Sequence, residues 1–183
     1  MSANCEEQPT SSNSQTIQLA GIVNDSITDG PGIRLTVFVQ GCPHHCPGCH
    51  NQQTWDFAGG RPATTEEIWQ QIQQNPLLSG VTFSGGEPMA QAAALLPLAR
   101  QIKQAGLELA IYTGYTFEQL LELPEPAVRQ LLELCDTLID GPFILAQRNL
   151  ELNFRGSANQ RILKVTESLA AGQPVLEQAE RWH

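Results

Sequence analysis

Three cysteines, Cys42, Cys46 and Cys49, lie in the stretch Gly41-Cys42-Pro43-His44-His45-Cys46-Pro47-Gly48-Cys49-His50-Asn51, spaced C-x3-C-x2-C. Three thiolates from one short loop can hold three irons of a cubane cluster. The fourth iron is then left without a protein ligand from this segment, and an open metal position is where chemistry takes place. Zinc is the competing reading, with His44, His45 or His50 as fourth ligand, because three of the chain's four histidines lie in this loop. Against zinc, Cys3His sites draw their ligands from two separate knuckles, and a fourth ligand crowded into one loop is geometrically awkward. The two remaining cysteines, Cys5 in a polar leader and Cys135 in an apolar helix, read as incidental or packed thiols.

A second stretch with chemical potential is Ser84-Gly85-Gly86-Glu87-Pro88. Paired glycines let backbone carbonyls approach a ligand closely, and Glu87 adds a carboxylate able to attract an ammonium group. Alone, such a turn is an ordinary solvated strand end; a face shared with the cysteine loop gives it weight. The net charge of −9, with ten Lys and Arg, argues against a nucleic-acid backbone as partner. No apolar run approaches membrane-spanning length, and the N-terminus lacks a basic segment followed by an apolar one. Clustered cysteines favour metal binding in a reducing, cytoplasmic compartment over a disulfide framework.

The elements that must position these residues follow from periodicity. Ile33, Leu35, Val37 and Val39 alternate as a strand requires, so the cysteines leave its C-terminal end, where α/β proteins place ligands. Upstream, Ile17 to Val23 forms a first strand and Asp29-Gly30-Pro31-Gly32 a tight turn. Thr64 and Glu67 form a capping box for a helix through Ile68, Trp69 and Ile72 that ends before Pro76. Gly80 to Phe83 is a buried-type strand leading into the glycine pair. A helix over 91–105 follows, with Pro97 as a kink or restart and Gly106 as its stop. Leu107, Leu109 and Ile111 make the next strand, helices flank Pro124 and Pro126, and Thr137 to Asp140 and Ile162 to Val165 are further strands.

Strand and helix in alternation imply a parallel sheet with crossover helices. Five or six strands are too few to close an eight-stranded barrel of about 250 residues, so an open, incomplete (β/α) barrel with parallel strands is expected. The chain of 183 residues divides into a disordered polar leader over 1–16, one domain over 17–165 and a C-terminal tail over 166–183. Every glycine-rich or polar motif falls at a strand's C-terminal end, on one face.

In combination, C-x3-C-x2-C after one core strand and Gly-Gly-Glu-Pro after the next resemble the radical S-adenosylmethionine (SAM) enzymes. Asp29 to Arg34 and His50-Asn51-Gln52-Gln53-Thr54-Trp55 are similar to the branch that activates glycyl-radical enzymes. The short length, Tyr112-Thr113-Gly114-Tyr115, Asp140-Gly141-Pro142-Phe143 and Phe154 to Arg161 resemble, within it, the activators of anaerobic ribonucleotide reductases. The resemblance covers residues 17 to 165. It implies that Cys42, Cys46 and Cys49 ligate a 4Fe-4S cluster and that SAM chelates the remaining iron. It places Gly48, Cys49 and His50 near the adenosyl part. Ser84, Gly85, Gly86 and Glu87 fall near the methionine amino group, with Thr113 as a further SAM contact. It also implies reductive cleavage of SAM to a 5′-deoxyadenosyl radical that takes hydrogen from a glycine of a partner reductase. A flavodoxin or ferredoxin-type protein would donate the electron. Gly48 departs from the wider pattern, since many radical SAM enzymes carry an aromatic residue before the third cysteine. A second cysteine-rich cluster domain, found in some activators, is also lacking. Three alternatives stay open: a pyruvate formate-lyase-type activator, a small-molecule enzyme of the 7-deazaguanine type, and a non-catalytic zinc or electron-transfer module.

Overall fold

The computed structural model describes residues 16–183, so the expected leader over 1–16, with Cys5, lies outside them except for Thr16. Along the described residues run β1 (Ile17–Ser26), β2 (Arg34–Val39), β3 (Arg61–Ala63), α1 (Thr65–Gln74), β4 (Gly80–Gly85), α2 (Ala92–Gln104) and β5 (Glu108–Tyr112). They are followed by α3 (Phe117–Glu122), α4 (Pro126–Leu134), β6 (Thr137–Asp140), β7 (Arg161–Lys164) and α5 (Val165–Ala171). The seven strands form one sheet in the order β3-β1-β2-β4-β5-β6-β7. β3 and β7 end that order without pairing to each other, so the sheet stays open, as an incomplete barrel requires. Residues 175–177 cover the outer side of β7, through Lys164 N–H to Val175 O and Glu177 N–H to Ile162 O.

The parallel arrangement holds among β2, β4, β5 and β6, whose pairings with one another are parallel. It does not extend to the flanks: β1 runs antiparallel to both β2 and β3, and β7 antiparallel to β6. The cause lies in the connections. Residues 141–160 carry a short 3-10 turn, Leu145–Gln147, in place of a crossover helix, so the chain returns beside β6 in the opposite sense.

Side-chain alternation at period two sorts the two faces. Leu35, Val37, Val39, Val81, Phe83, Leu109, Ile111 and Leu138 are buried against Ile68, Leu95, Leu98, Ile102 and Leu131 of the helices. The alternate positions Arg34, Thr36, Phe38, Thr82, Ser84 and Tyr112 face the other way, onto the concave side. There Arg34 is fully buried. It donates to Thr82 Oγ1 at 2.7 Å and Val81 O at 2.9 Å, and pairs with Glu108 at 3.3 Å. Burial lowers its pKa, and Glu108 opposes that shift.

Local signals act as the residues dictate, with two differences. Thr64 caps α1 by accepting the Glu67 N–H at 3.1 Å, but the Glu67 carboxylate pairs with Arg61 instead of closing the box. Pro97 does not restart its helix: α2 runs unbroken through it, with Pro97 on the exposed side. The stretch 166–183 is also part of the fold. It contributes most of α5 and places Trp182, fully buried, against Ala110, Ile139 and Ile162 on the concave side. Among the described residues, no helix is long and apolar enough to cross a membrane.

Candidate metal and cofactor site

The C-terminal ends of β2, β4, β5 and β6 open into a cavity of about 720 Å³. That volume lies within the range of ligand pockets, roughly 300–1,000 Å³. Of the residues expected at a site, Cys42, Cys46, Cys49, His50, Ser84, Gly85, Gly86 and Thr113 line it. Gly48 and Glu87 do not. Gly48 has φ +76° and packs beneath Leu145, whose Cδ1 lies 2.9 Å from where a Cβ would be. Glu87 is fully buried behind the wall.

The cysteine loop is closed on itself by backbone hydrogen bonds. Gly41 N–H donates to Thr54 O at 2.8 Å and Cys42 N–H to Trp55 O at 3.1 Å, joining entrance to exit. Cys49 N–H donates to Cys46 O at 3.1 Å, making the tight turn that brings those thiols to one wall. Gln40 braces the loop from beneath by donating to Gln53 O at 3.0 Å and Asp56 O at 2.7 Å. All three thiols are partly exposed, whereas Cys135 is buried and donates its S–H to Thr137 O. Burial pushes the Cys42 thiol up, opposed by backbone hydrogen bonds from His44 and His45. The Asn51 N–H donates to Cys49 Sγ at 3.4 Å.

The glycine pair has a structural task here besides any ligand contact. A Cβ on Gly86 would stand 2.3 Å from Gly41 O, so only glycine lets the two loops touch. Gly86 N–H donates to Val39 O at 2.7 Å and Glu87 N–H to Gly41 O at 2.8 Å.

The three loop histidines separate in role. His44 Nε2 stands 2.7 Å from Glu87 Oε2, His45 stacks on Trp55 with centroids 4.9 Å apart, and His50 lines the cavity beside Phe143. Sequence reasoning missed much of the opposite wall. Phe38 and Tyr112 come from the concave side, and Leu150, Asn153, Phe154 and Arg155 from the β6–β7 connection. The alternation of β2 and β5 could have pointed to the first two. Phe154 and Arg155 fall in the stretch Phe154 to Arg161, which stood out by resemblance alone, and no local pattern marks Leu150 or Asn153. Burial, with Asp29 nearby, pushes the Tyr112 hydroxyl far up, so it remains protonated. Asp29 itself lines the cavity while accepting from Ser26 Oγ and from Thr36 Oγ1 at 3.0 Å. Asp140 is taken up by Arg161 and by the Phe117 N–H at 2.7 Å.

These residues fit a 4Fe-4S cluster with a bound small molecule. Three thiols from one loop face the space, the glycine-pair backbone borders it, and Arg155, with Nε buried and unpartnered among the described residues, brings positive charge.

Comparison with known proteins gives the same type of cluster. Residues 28–163 match the family described as a 4Fe-4S single cluster domain. The anaerobic ribonucleoside-triphosphate reductase-activating protein of Vibrio cholerae is 37% identical over 148 residues, 76% of this chain and 93% of that protein. The pyruvate formate-lyase-activating enzyme of Clostridium pasteurianum is 36% identical over 130 residues, 68% of this chain but only 55% of that enzyme. Among solved structures, QueE from Escherichia coli overlaps 55% of this chain and 54% of its own, with a TM-score of 0.47 and 21% identity. On the match across most of its described residues and nearly the full length of the Vibrio relative, the chain belongs to the 4Fe-4S single-cluster family of anaerobic ribonucleoside-triphosphate reductase-activating proteins.

Proposed function

We propose that this chain is a radical SAM activase that installs a glycyl radical on an anaerobic ribonucleoside-triphosphate reductase. The observation that carries the reading is the placement of Cys42, Cys46 and Cys49 on one wall of a cavity shared with Gly85 and Gly86. When bound, a 4Fe-4S cluster with SAM supplies reductive cleavage to a 5′-deoxyadenosyl radical, which takes a hydrogen atom from a glycine of the partner. The chain's own tasks are binding, orientation and exclusion of water. The three cysteines hold the cluster, and the backbone of Ser84, Gly85 and Gly86 borders the methionine end of SAM. His50 and Thr113 line the adenosyl side, and the Arg155 guanidinium meets the SAM carboxylate.

The open sheet leaves the cavity without a complete wall of its own. A protein substrate closes such an opening with its own loop, whereas a small-molecule enzyme needs a lid. A flavodoxin or ferredoxin-type donor supplies the electron, in the reducing cytoplasm. The match to only about half of the Clostridium enzyme favours the reductase over pyruvate formate-lyase as partner.

Anaerobic reconstitution with iron and sulfide, dithionite reduction and an assay for 5′-deoxyadenosine from SAM test this reading. About four irons per chain, SAM cleavage and loss of both in Cys46→Ala are expected. One zinc per chain with no cleavage would overturn it.

A further inference from the structure

The Glu87 carboxylate is the most heavily engaged side chain near the cavity. It is fully buried and receives four protein donors. Oε1 accepts the Met89 N–H at 2.9 Å, and the Thr113 hydroxyl is shared between Oε1 at 2.9 Å and Oε2 at 3.0 Å. Oε2 also accepts the Gly114 N–H at 2.9 Å and faces His44 Nε2 at 2.7 Å; the tautomer with its proton on Nε2 donates here. An ionised carboxylate has about four lone-pair sites. All are taken, and none is left for the ammonium of a ligand.

These donors come from different strand ends. Glu87 follows β4, Thr113 and Gly114 follow β5, and His44 stands between Cys42 and Cys46 in the loop after β2. The His44 ring is held from other sides too. It meets Tyr115 edge-on with centroids 4.5 Å apart, and it lies so close to Gly114 that a Cβ there would come within 2.4 Å of it.

We propose that Glu87 is a positioning residue that acts through His44, locking the Cys42–Cys46 half of the cysteine loop to the ends of β4 and β5. The inference rests on the reading of Cys42, Cys46 and Cys49 as cluster ligands. It divides the Gly-Gly-Glu-Pro stretch in two: the glycine backbone borders the cavity, while the carboxylate faces inward and fixes the loop. Groups one step behind metal ligands set ligand orientation, and their loss typically lowers metal affinity about 10–100-fold.

The test compares wild type with His44→Ala, His44→Gln, Glu87→Gln and the double variant His44→Ala/Glu87→Gln, each reconstituted anaerobically. The readouts are iron loss to a chelator, the paramagnetic resonance spectrum of the reduced cluster, and melting of the metal-free chain. His44→Ala should lose iron roughly ten-fold faster with an altered spectrum. Its metal-free melt should fall only modestly, because Glu87 keeps its Met89, Thr113 and Gly114 donors when the His44 contact is lost. His44→Gln, which still donates to Glu87, should recover most of the retention. The double variant should lose iron little faster than the worse single one, because both changes break one contact. Wild-type iron retention and spectrum in His44→Ala, or additive effects in the double variant, would overturn the proposal. Wild-type protein that takes up no cluster would overturn the functional reading instead, so the two failures are distinguishable.

Discussion

Arg155 presents a guanidinium to the cavity with its Nε buried and unpartnered among the described residues, which is costly unless a ligand supplies an acceptor. A charge-assisted hydrogen bond contributes about 1.5–3 kcal/mol. Arg155→Ala should therefore weaken SAM binding about ten-fold or more, as measured by equilibrium dialysis on reconstituted protein. Unchanged affinity would remove Arg155 from the site. At this scale the cysteines were legible because their identity and spacing are local. The engagement of Glu87 was not, because His44, Thr113 and Gly114 stand 43, 26 and 27 residues away from it. A carboxylate after two glycines reads as solvated until the sheet brings those donors around it.

Arg161 joins three elements. It donates to Asp140 at the end of β6 and, at 3.1 and 2.8 Å, to Glu118 in the first turn of α3, while standing itself at the start of β7. Asp140 is buried, and in Arg161→Ala it would keep only the Phe117 N–H; breaking such a pair costs about 3 kcal/mol, readable by urea unfolding. The hydrogen bonds from Arg161 hold Glu118 down at about 2, below its ordinary value of 4.5. Because the folded value is depressed, its contribution is present above 4.5 and is lost as pH falls toward about 2. Glu118 is about half exposed, so that contribution is small. Wild type should lose stability more steeply than Arg161→Ala across that window, and parallel curves would contradict the assignment. The helices and parallel strands were legible from periodicity and punctuation. The antiparallel return of β7 was not, because a connection without a helix leaves strand direction to tertiary pairing. The capping box of Thr116 and Gln119 at α3 was also passed over, masked by the aromatic turn before it.

The molecule as a whole is asymmetric across its sheet. Helices cover one face with an apolar core. The concave face carries Arg34, Thr36 and Thr82, and beside them a small apolar patch built around Trp182. Trp182 meets Phe154 edge-on with centroids 5.4 Å apart, and Phe154 lines the cavity, so this anchor supports the β6–β7 connection along its wall. Trp182→Ala should cost about 3–5 kcal/mol in urea unfolding, and a loss below about 1 kcal/mol would show that the patch is not structural. The stretch beyond residue 165 carried no periodic signal. Its role comes from tertiary contacts: α5, the pairing of residues 175–177 with β7, and the Trp182 side chain reaching across the sheet.

The contact between Gly86 and Gly41, where no Cβ can be accommodated, bears on how such a centre can be inherited or engineered. The cysteine stretch is not a portable cassette. Grafted into another scaffold, it would arrive without the strand end against which it is moulded: a Cβ at Gly86 would strike the Gly41 backbone, and one at Gly41 would strike the Phe57 ring. The two stretches, more than forty residues apart in sequence, should therefore be transplanted, or diversify, as one unit.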